Sequence, residues 1–230
     1  MPNFPTLLSS MILAAAVVAL APVAAQAKCN DYAAPKVDWT KCDKKSKIMN
    51  GADLSGAKLE GVNFTATDLS KAKLDAADLT RADLTHALLG DATMAGANLT
   101  KAEGTRAIFD GADMPGAILN KGEFNRASFV DANLGNADLE KAEFARAIFT
   151  GARLDGARLT NSNVSRARFE KASLAGTDLA GSYLLLTRIE GVDLSATTGL
   201  VQAQLDLACG NGETKLPAGL AVPQGWPCVE

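Results

Sequence analysis

KAEFARAIFTGARLDGARLT, residues 141–160, carries alanine at 142, 147, 152 and 157 and, two residues after each, Phe144, Phe149, Leu154 and Leu159. The period is five. It matches neither the helix period of about 3.6 nor the strand period of about 2. Carried outward in the same register, every fifth residue from Leu54 to Leu194 gives 29 positions, and 28 of them are Leu, Phe, Met, Ile or Val. The exception is Gly104. The residue two before each large one is usually Ala, otherwise Gly, Ser, Thr or Val. Self-similarity at a fixed short period calls for a solenoid before any other architecture.

A second period of 20 underlies the first. Phe109, Phe129, Phe149 and Phe169 are spaced by 20, as are Asp83, Glu103, Glu123 and Glu143. So are Arg81, Lys101, Lys121 and Lys141, and His86, Arg106, Arg126, Arg146 and Arg166. Residues spaced in this way stack one per coil, so four five-residue sides close one square turn. A narrow square tube has room on each side for one large and one small inward side chain, which the Leu/Phe and Ala positions supply. Coils about 4.8 Å apart give a rod of about 35 Å for seven of them. Gly104 is expected to leave a void between Leu84 and Phe124 unless Phe124 leans into it.

Segments such as Ala52-Asp53-Leu54-Ser55-Gly56 and Ala97-Asn98-Leu99-Thr100-Lys101 follow an A(D/N)LXX pattern. Over residues 48–196 the chain resembles the pentapeptide-repeat proteins. The resemblance implies an all-β fold, a right-handed quadrilateral β-helix of about seven coils with four repeats per coil. The family is functionally mixed, so the likeness identifies a fold and not a task.

The flanks differ from the rod. Residues 1–27 contain no Lys, Arg, Asp or Glu, and an apolar run from Leu7 to Val23 ends in Ala25-Gln26-Ala27. This reads as a signal peptide cleaved after Ala27, although its start lacks a basic side chain. The alternative, an uncleaved anchor, is disfavoured because the run is short for a span. Lys28 precedes Cys29 where a lipoprotein box would need a different residue. The expected destination is therefore the periplasm or the exterior, with no stable membrane anchor after cleavage. Residues 28–47 form the expected N-terminal cap, with six lysines and three aspartates, and 197–230 the C-terminal cap. Exposed backbone at the ends of a stacked rod needs such covers. Thr198 is expected to cap a short helix from about Leu200 to Ala208, and the C-terminal cap to cover Leu185 and Leu186. GLVQAQLDLACG followed by TKLPAGL resembles the tail of secreted members of the family.

Four cysteines allow three pairings. Local pairing, Cys29–Cys42 and Cys209–Cys228, fits best because the rod separates the two pairs, and an even count suits an oxidising compartment. No CxxC occurs and His86 is the only histidine. Zinc, and metal or cofactor binding generally, is not expected.

Carboxylates are plentiful, but the column Asp83, Glu103, Glu123, Glu143 lies between two basic columns in sequence. It reads as an ion-pair ladder with Arg106, Arg126, Arg146 and Arg166 on a solvated face, each pair worth little. A paired-acid catalytic site is the weaker reading. His86 stands in the arginine column and has no evident activating partner. CGNGETKLP lacks the spacing of a phosphate loop. The sequons at Asn63, Asn98 and Asn163 read as by-products of the repeat. Leu88, Ile108 and Ile148 form an outward apolar column interrupted by Ser128, a candidate interaction stripe or a loosely filled repeat position. A net charge of −3 gives no field for nucleic acid. The expectation is a non-enzymatic extracytoplasmic scaffold or interaction protein with a protein partner. The alternative that the resemblance supplies is a DNA mimic protecting DNA gyrase, a role that uses a strongly acidic face. The sequence leaves the oligomeric state open.

Overall fold

The structure, a computed structural model, describes residues 29–228. The signal-peptide reading of residues 1–27 falls outside them. The chain winds into a four-sided coil held by parallel rungs between residues 20 apart, running from Asp38↔Lys58 onward through the chain to Asp178↔Thr198. Each side contributes one rung, because five residues leave room for three extended residues between corners.

The corners explain the period. Every fifth residue from Lys36 to Gly191 has φ near +60°, whether glycine or not. Each is the third residue of a turn closed by a bond such as Ala57 N–H to Leu54 O, 3.0 Å. Turns of this geometry need a left-handed residue at that place. A non-glycine residue there costs about 1 kcal/mol, so the corners are where the fold is conformationally expensive.

One side accounts for all five backbone N–H groups. Leu54 donates to Lys73 O at 2.7 Å and Gly56 to Asp75 O at 2.8 Å, both toward the next coil. Lys58 donates back to Val37 O at 2.9 Å, and Ala57 closes the turn. The fifth, on Ser55, donates to its neighbour's carboxylate, Asp53 Oδ1, at 3.1 Å. This is the purpose of the Asp/Asn in the repeat. The same bond recurs from Thr80 to Asp78, Thr100 to Asn98 and Ser165 to Asn163. Where that residue is Thr, Ser or Glu, a carboxylate or amide one coil earlier substitutes: Asp75 accepts from Ala95, Asp110 from Val130, Asn125 from Ala145 and Asp155 from Ala175.

The interior is dry along most of the rod: Leu54 through Leu159 at the large positions are buried to solvent exposures of 0%. Phe109, Phe129, Phe149 and Phe169 stack at 4.8, 5.0 and 4.9 Å between successive centroids. Phe124 and Phe144 form a second stack that meets the first edge-on. Hydroxyls that replace the small alanine are satisfied by backbone, as when Thr67 donates to Lys44 O at 2.7 Å and Thr177 to Leu154 O at 2.8 Å. At Gly104 no void is left. The Phe124 ring lies where a Gly104 side chain would begin, with Cδ1 and Cε1 both inside contact distance of an added Cβ. The opposite edge of the ring lies against Gly122.

Both ends are pinned by disulfides, Cys29–Cys42 and Cys209–Cys228, with Cα separations of 5.4 and 5.3 Å. At the N-terminal end Trp39 is the first core residue and meets Phe64 edge-on. The Lys44 ammonium sits 3.7 Å above the Trp39 ring and donates to Cys29 O. Burial, then the nearby Lys47 charge, lowers the Lys44 pKa. Each side sends two C=O groups and one N–H toward this end, as at Lys58 O, Glu60 O and Lys58 N–H. The end therefore carries partial negative charge, which the lysines at 36, 41, 44, 45 and 47 complement.

Four expectations are corrected here. The rungs begin at Asp38, before residue 48, because the repeat needs only its corner geometry and not the A(D/N)LXX consensus. The C-terminal helix, α1, spans only Gln202–Leu205, and Val201 is its N-cap; Thr198 instead pairs with Asp178 as a rung. The Gln204 amide closes the tube end by donating to Leu179 O and Ser182 O, each at 2.8 Å. Leu186 is 41% exposed and Leu185 only half-buried, since the cap covers the tube's end and not its flank. The rung that would join Ser173 to Asp193 is also missing among the described residues, and Ala196 lacks the left-handed corner. Gly176 N–H there bonds Ala196 O at 3.0 Å.

Candidate interaction surface

The rungs place the sequence columns as real columns. Asp83, Glu103, Glu123 and Glu143 are consecutive on one side, and Leu88, Ile108, Ser128 and Ile148 on the next. The basic columns are corner residues: Arg81, Lys101, Lys121 and Lys141 on one edge, His86, Arg106, Arg126, Arg146 and Arg166 on the next. His86 is exposed at such a corner. Another edge carries Gly96, Gly116, Gly156 and Gly176 at the equivalent places. Arginine is thus held at four successive corners where glycine would be less strained.

The expected ladder of close ion pairs is not formed. Among the described residues no ion pair involves Glu103, Glu123, Glu143, Arg106, Arg126, Arg146 or Arg166. The acids sit mid-side and the bases on the edges; all are exposed except Asp83, which is half-buried. Asp83 accepts instead from Thr65 Oγ1 and Thr85 N–H, both at 2.9 Å. Burial raises its pKa, but these bonds prevail and hold it below the usual carboxylate value. Glu143 Oε2 accepts from Asn163 at 2.7 Å. Close pairing occurs elsewhere: Arg158 bridges Asp138 at 2.7 Å and Glu140 at 3.2 Å on another side.

The apolar column is open to solvent, with Leu88 39% and Ile108 38% exposed and Ile148 half-buried. The same rungs add Ile48, two coils before Leu88 and 86% exposed, which sequence reasoning passed over because Asp68 lies between. Its position modulo 20 was the available signal. Val130 lies half-buried beside the column at the following corner. Beyond that corner Asp91 and Asp131 are exposed and alternate with Gly111 and Gly151. The alternation has a steric cause. Each carboxylate oxygen lies over the next coil's glycine, where a Cβ would collide with it.

Among the described residues no group of three or more His, Cys, Asp or Glu side chains is placed to hold a metal ion, and no helix is long and apolar enough to cross a membrane.

The family model described as Pentapeptide repeats matches in eight copies over residues 48–85, 82–120, 127–166 and 162–198. The chain belongs to the pentapeptide-repeat family, whose fold is the right-handed quadrilateral β-helix. Among solved structures it is similar to HetL, a pentapeptide repeat protein involved in heterocyst differentiation regulation from the cyanobacterium Nostoc sp. strain PCC 7120. That match has 22% identity and a TM-score of 0.50, covering 84% of this chain and 87% of that one. It is also similar to a trypsin-treated form of QnrB1, a plasmid-mediated fluoroquinolone resistance protein, at 19% identity and a TM-score of 0.66, covering 76% and 88%. Among curated proteins, none matches the chain by sequence.

Proposed function

We propose that the protein is a non-enzymatic, extracytoplasmic scaffold or protein-interaction module built on a rigid rod. The observation that carries the reading is the apolar column Leu88, Ile108 and Ile148, open to solvent on a flat side between a basic and an acidic edge. Contiguous exposed apolar surface marks contact sites. The disulfides that fasten both ends support an oxidising compartment. Capture of binding proteins from host extract with the protein and with its Ile108→Asp/Ile148→Asp variant tests the surface. Loss of a partner in the variant is expected; survival of every partner would remove the column as the site. Intact mass of the protein from its host, alkylated without reduction, tests the compartment. A chain starting at Lys28 with no alkylated thiol is expected, and a full-length chain with four alkylated thiols would contradict export.

A second reading takes its support from the likeness to QnrB1, a DNA mimic acting on gyrase being the alternative the family supplies. The acid column here is flanked on both edges by arginine and lysine, which weakens its likeness to a phosphate backbone. A supercoiling assay in which the purified protein leaves gyrase unaffected would dispose of it.

A further inference from the structure

We infer that the side carrying Leu88, Ile108 and Ile148 docks a second copy of the chain, with the two rods side by side and parallel. The inference rests on reading the rod as an interaction module, and it names the partner of that surface.

The side has three zones. One edge holds Arg106, Arg126, Arg146 and Arg166, all exposed and without an acidic partner among the described residues. The middle holds the apolar column. The far edge holds Asp91 and Asp131, exposed and likewise without a basic partner among the described residues, with Asp110 beside them accepting from Ser128 and Val130, while Glu170 further on is paired with Arg168. From Leu88 to Ile148 the unpaired cations and the unpaired Asp91 and Asp131 carboxylates thus lie on opposite edges; past Ile148 the pattern ends, with Arg168 in the middle column and Lys171 on the far edge.

Symmetry then selects one arrangement. Two identical faces meet about a two-fold axis lying in the interface. With the axis across the rods, they run antiparallel and each arginine edge meets the partner's arginine edge. With the axis along the rods, they run parallel and each arginine edge meets the partner's aspartate edge. Only the second brings opposite charges together over the Leu88–Ile148 coils. It also sets the register, because each coil faces its own equivalent: Leu88 meets Leu88, Ile108 meets Ile108, Ile148 meets Ile148. Going round the coil, the Arg126 corner is followed after five residues by the Asp131 corner, so the two lie within a fraction of one coil in height. Arg106 falls likewise beside the levels of Asp91 and Asp110, whereas Arg166 lies level with Lys171, so the complementary stretch ends at the Ile148 coil. The alternation with glycine keeps the Asp91 and Asp131 carboxylates lying along the edge.

The patch from Leu88 to Ile148 spans three coils, about 14 Å. That is at the small end of protein interfaces, so the dimer is reversible, populated by concentration and weakened by salt.

Sedimentation equilibrium on the disulfide-intact protein tests this, together with single-cysteine variants. The expected result is a weight-average mass rising toward twice the monomer value with concentration, and falling back at high salt. Leu88→Cys alone and Ile148→Cys alone should each yield a disulfide-linked dimer under mild oxidation. Arg126→Asp should weaken association by roughly fivefold or more, the scale of an exposed charge pair, and Arg126→Asp/Asp131→Arg should restore it. A protein that stays monomeric throughout overturns the inference. So does linkage only in a mixture of the two cysteine variants, or association strengthened by Arg126→Asp, both of which would mark an antiparallel pair. If the protein is monomeric while Ile108→Asp/Ile148→Asp still loses a captured protein, copy-to-copy docking falls and the interaction reading stands. If neither effect appears, both fall.

Discussion

Gly104 is the one large inward position without a side chain, so the repeat alone argues that restoring one would fill a hole and stabilise the rod. The structure argues the opposite. An added Cβ at Gly104 meets Phe124 Cδ1 and Cε1 inside contact distance, and the ring cannot retreat because its other edge rests on Gly122. At Gly122 an added Cβ would also come within 3.1 Å of Leu119 O and 3.2 Å of Ala102 O. Overpacking of this kind costs about 1–3 kcal/mol. Gly104 is not at a left-handed corner, so alanine there also gains roughly 0.4–1 kcal/mol by restricting the unfolded chain. The balance for Gly104→Ala is a net loss of about 1–2 kcal/mol, equivalent to about 2–4 °C of melting temperature per kcal/mol for a chain of this size. Phe124→Leu alone should lose roughly 1–2 kcal/mol by opening space above both glycines. Gly104→Leu/Phe124→Leu recreates the ordinary layer and should be more stable than the sum of its single changes by about 1 kcal/mol or more, the coupling expected of residues in direct contact. Urea unfolding of the four proteins in the cycle measures it. A Gly104→Ala protein as stable as the parent, or single effects that simply add, would refute the idea that Phe124 occupies the missing side chain's place.

Phe129→Ala, which removes a ring stacked 4.8 Å from Phe109 and 5.0 Å from Phe149, should cost about 3–5 kcal/mol by thermal unfolding. Replacing either cysteine pair by serine should cost about 3 kcal/mol in the chain-entropy model for separations of 13 and 19 residues, read as a lower melting temperature. Asp193 is held down to about 2 by bonds from the Ser195 hydroxyl, the Lys215 ammonium and the Ser195 N–H. Its folded value is below the unfolded one. Its contribution to stability is therefore complete above about 4 and is lost as pH falls through about 2. Carboxylate NMR titration should show that low value and its rise in Ser195→Ala. Asp78→Ala, which leaves Thr80 N–H without its acceptor, should cost about 1 kcal/mol, and Asp78→Asn much less.

The repeat made the interior legible because a tube with one large and one small inward residue per side admits no other filling. Leu54, Phe109 and Phe149 are buried as the period requires. The Asp/Asn position was visible as a pattern but not as a device. That Asp53 accepts from Ser55 N–H follows only once the other four N–H groups are assigned. Charges misled for a related reason. Equal spacing along the chain puts Glu123 and Arg126 on adjacent columns, but one is mid-side and the other on an edge, and spacing alone does not reveal which way each points. The C-terminal cap was least legible. Past Gly191 the corner rule ends, and a single amide, Gln204, closes the end where a short helix from about Leu200 to Ala208 was expected. Ile48 was missed because an aspartate lies between it and the rest of its column.

The rungs of this rod join residues about 20 apart wherever they fall, so no coil has to wait for a distant part of the chain. Topologies of local contact assemble quickly, and in a stacked array each unit adds to its neighbour. Here the addition has a direction. Each finished coil presents two oriented N–H donors and one C=O per side to the segment that follows, and α1 with its disulfide comes last. A polypeptide threaded amino-end first through a membrane pore would wind up behind the Cys29–Cys42 knot as it emerged, one circuit at a time. The stretch still inside the pore would owe nothing to the part already folded.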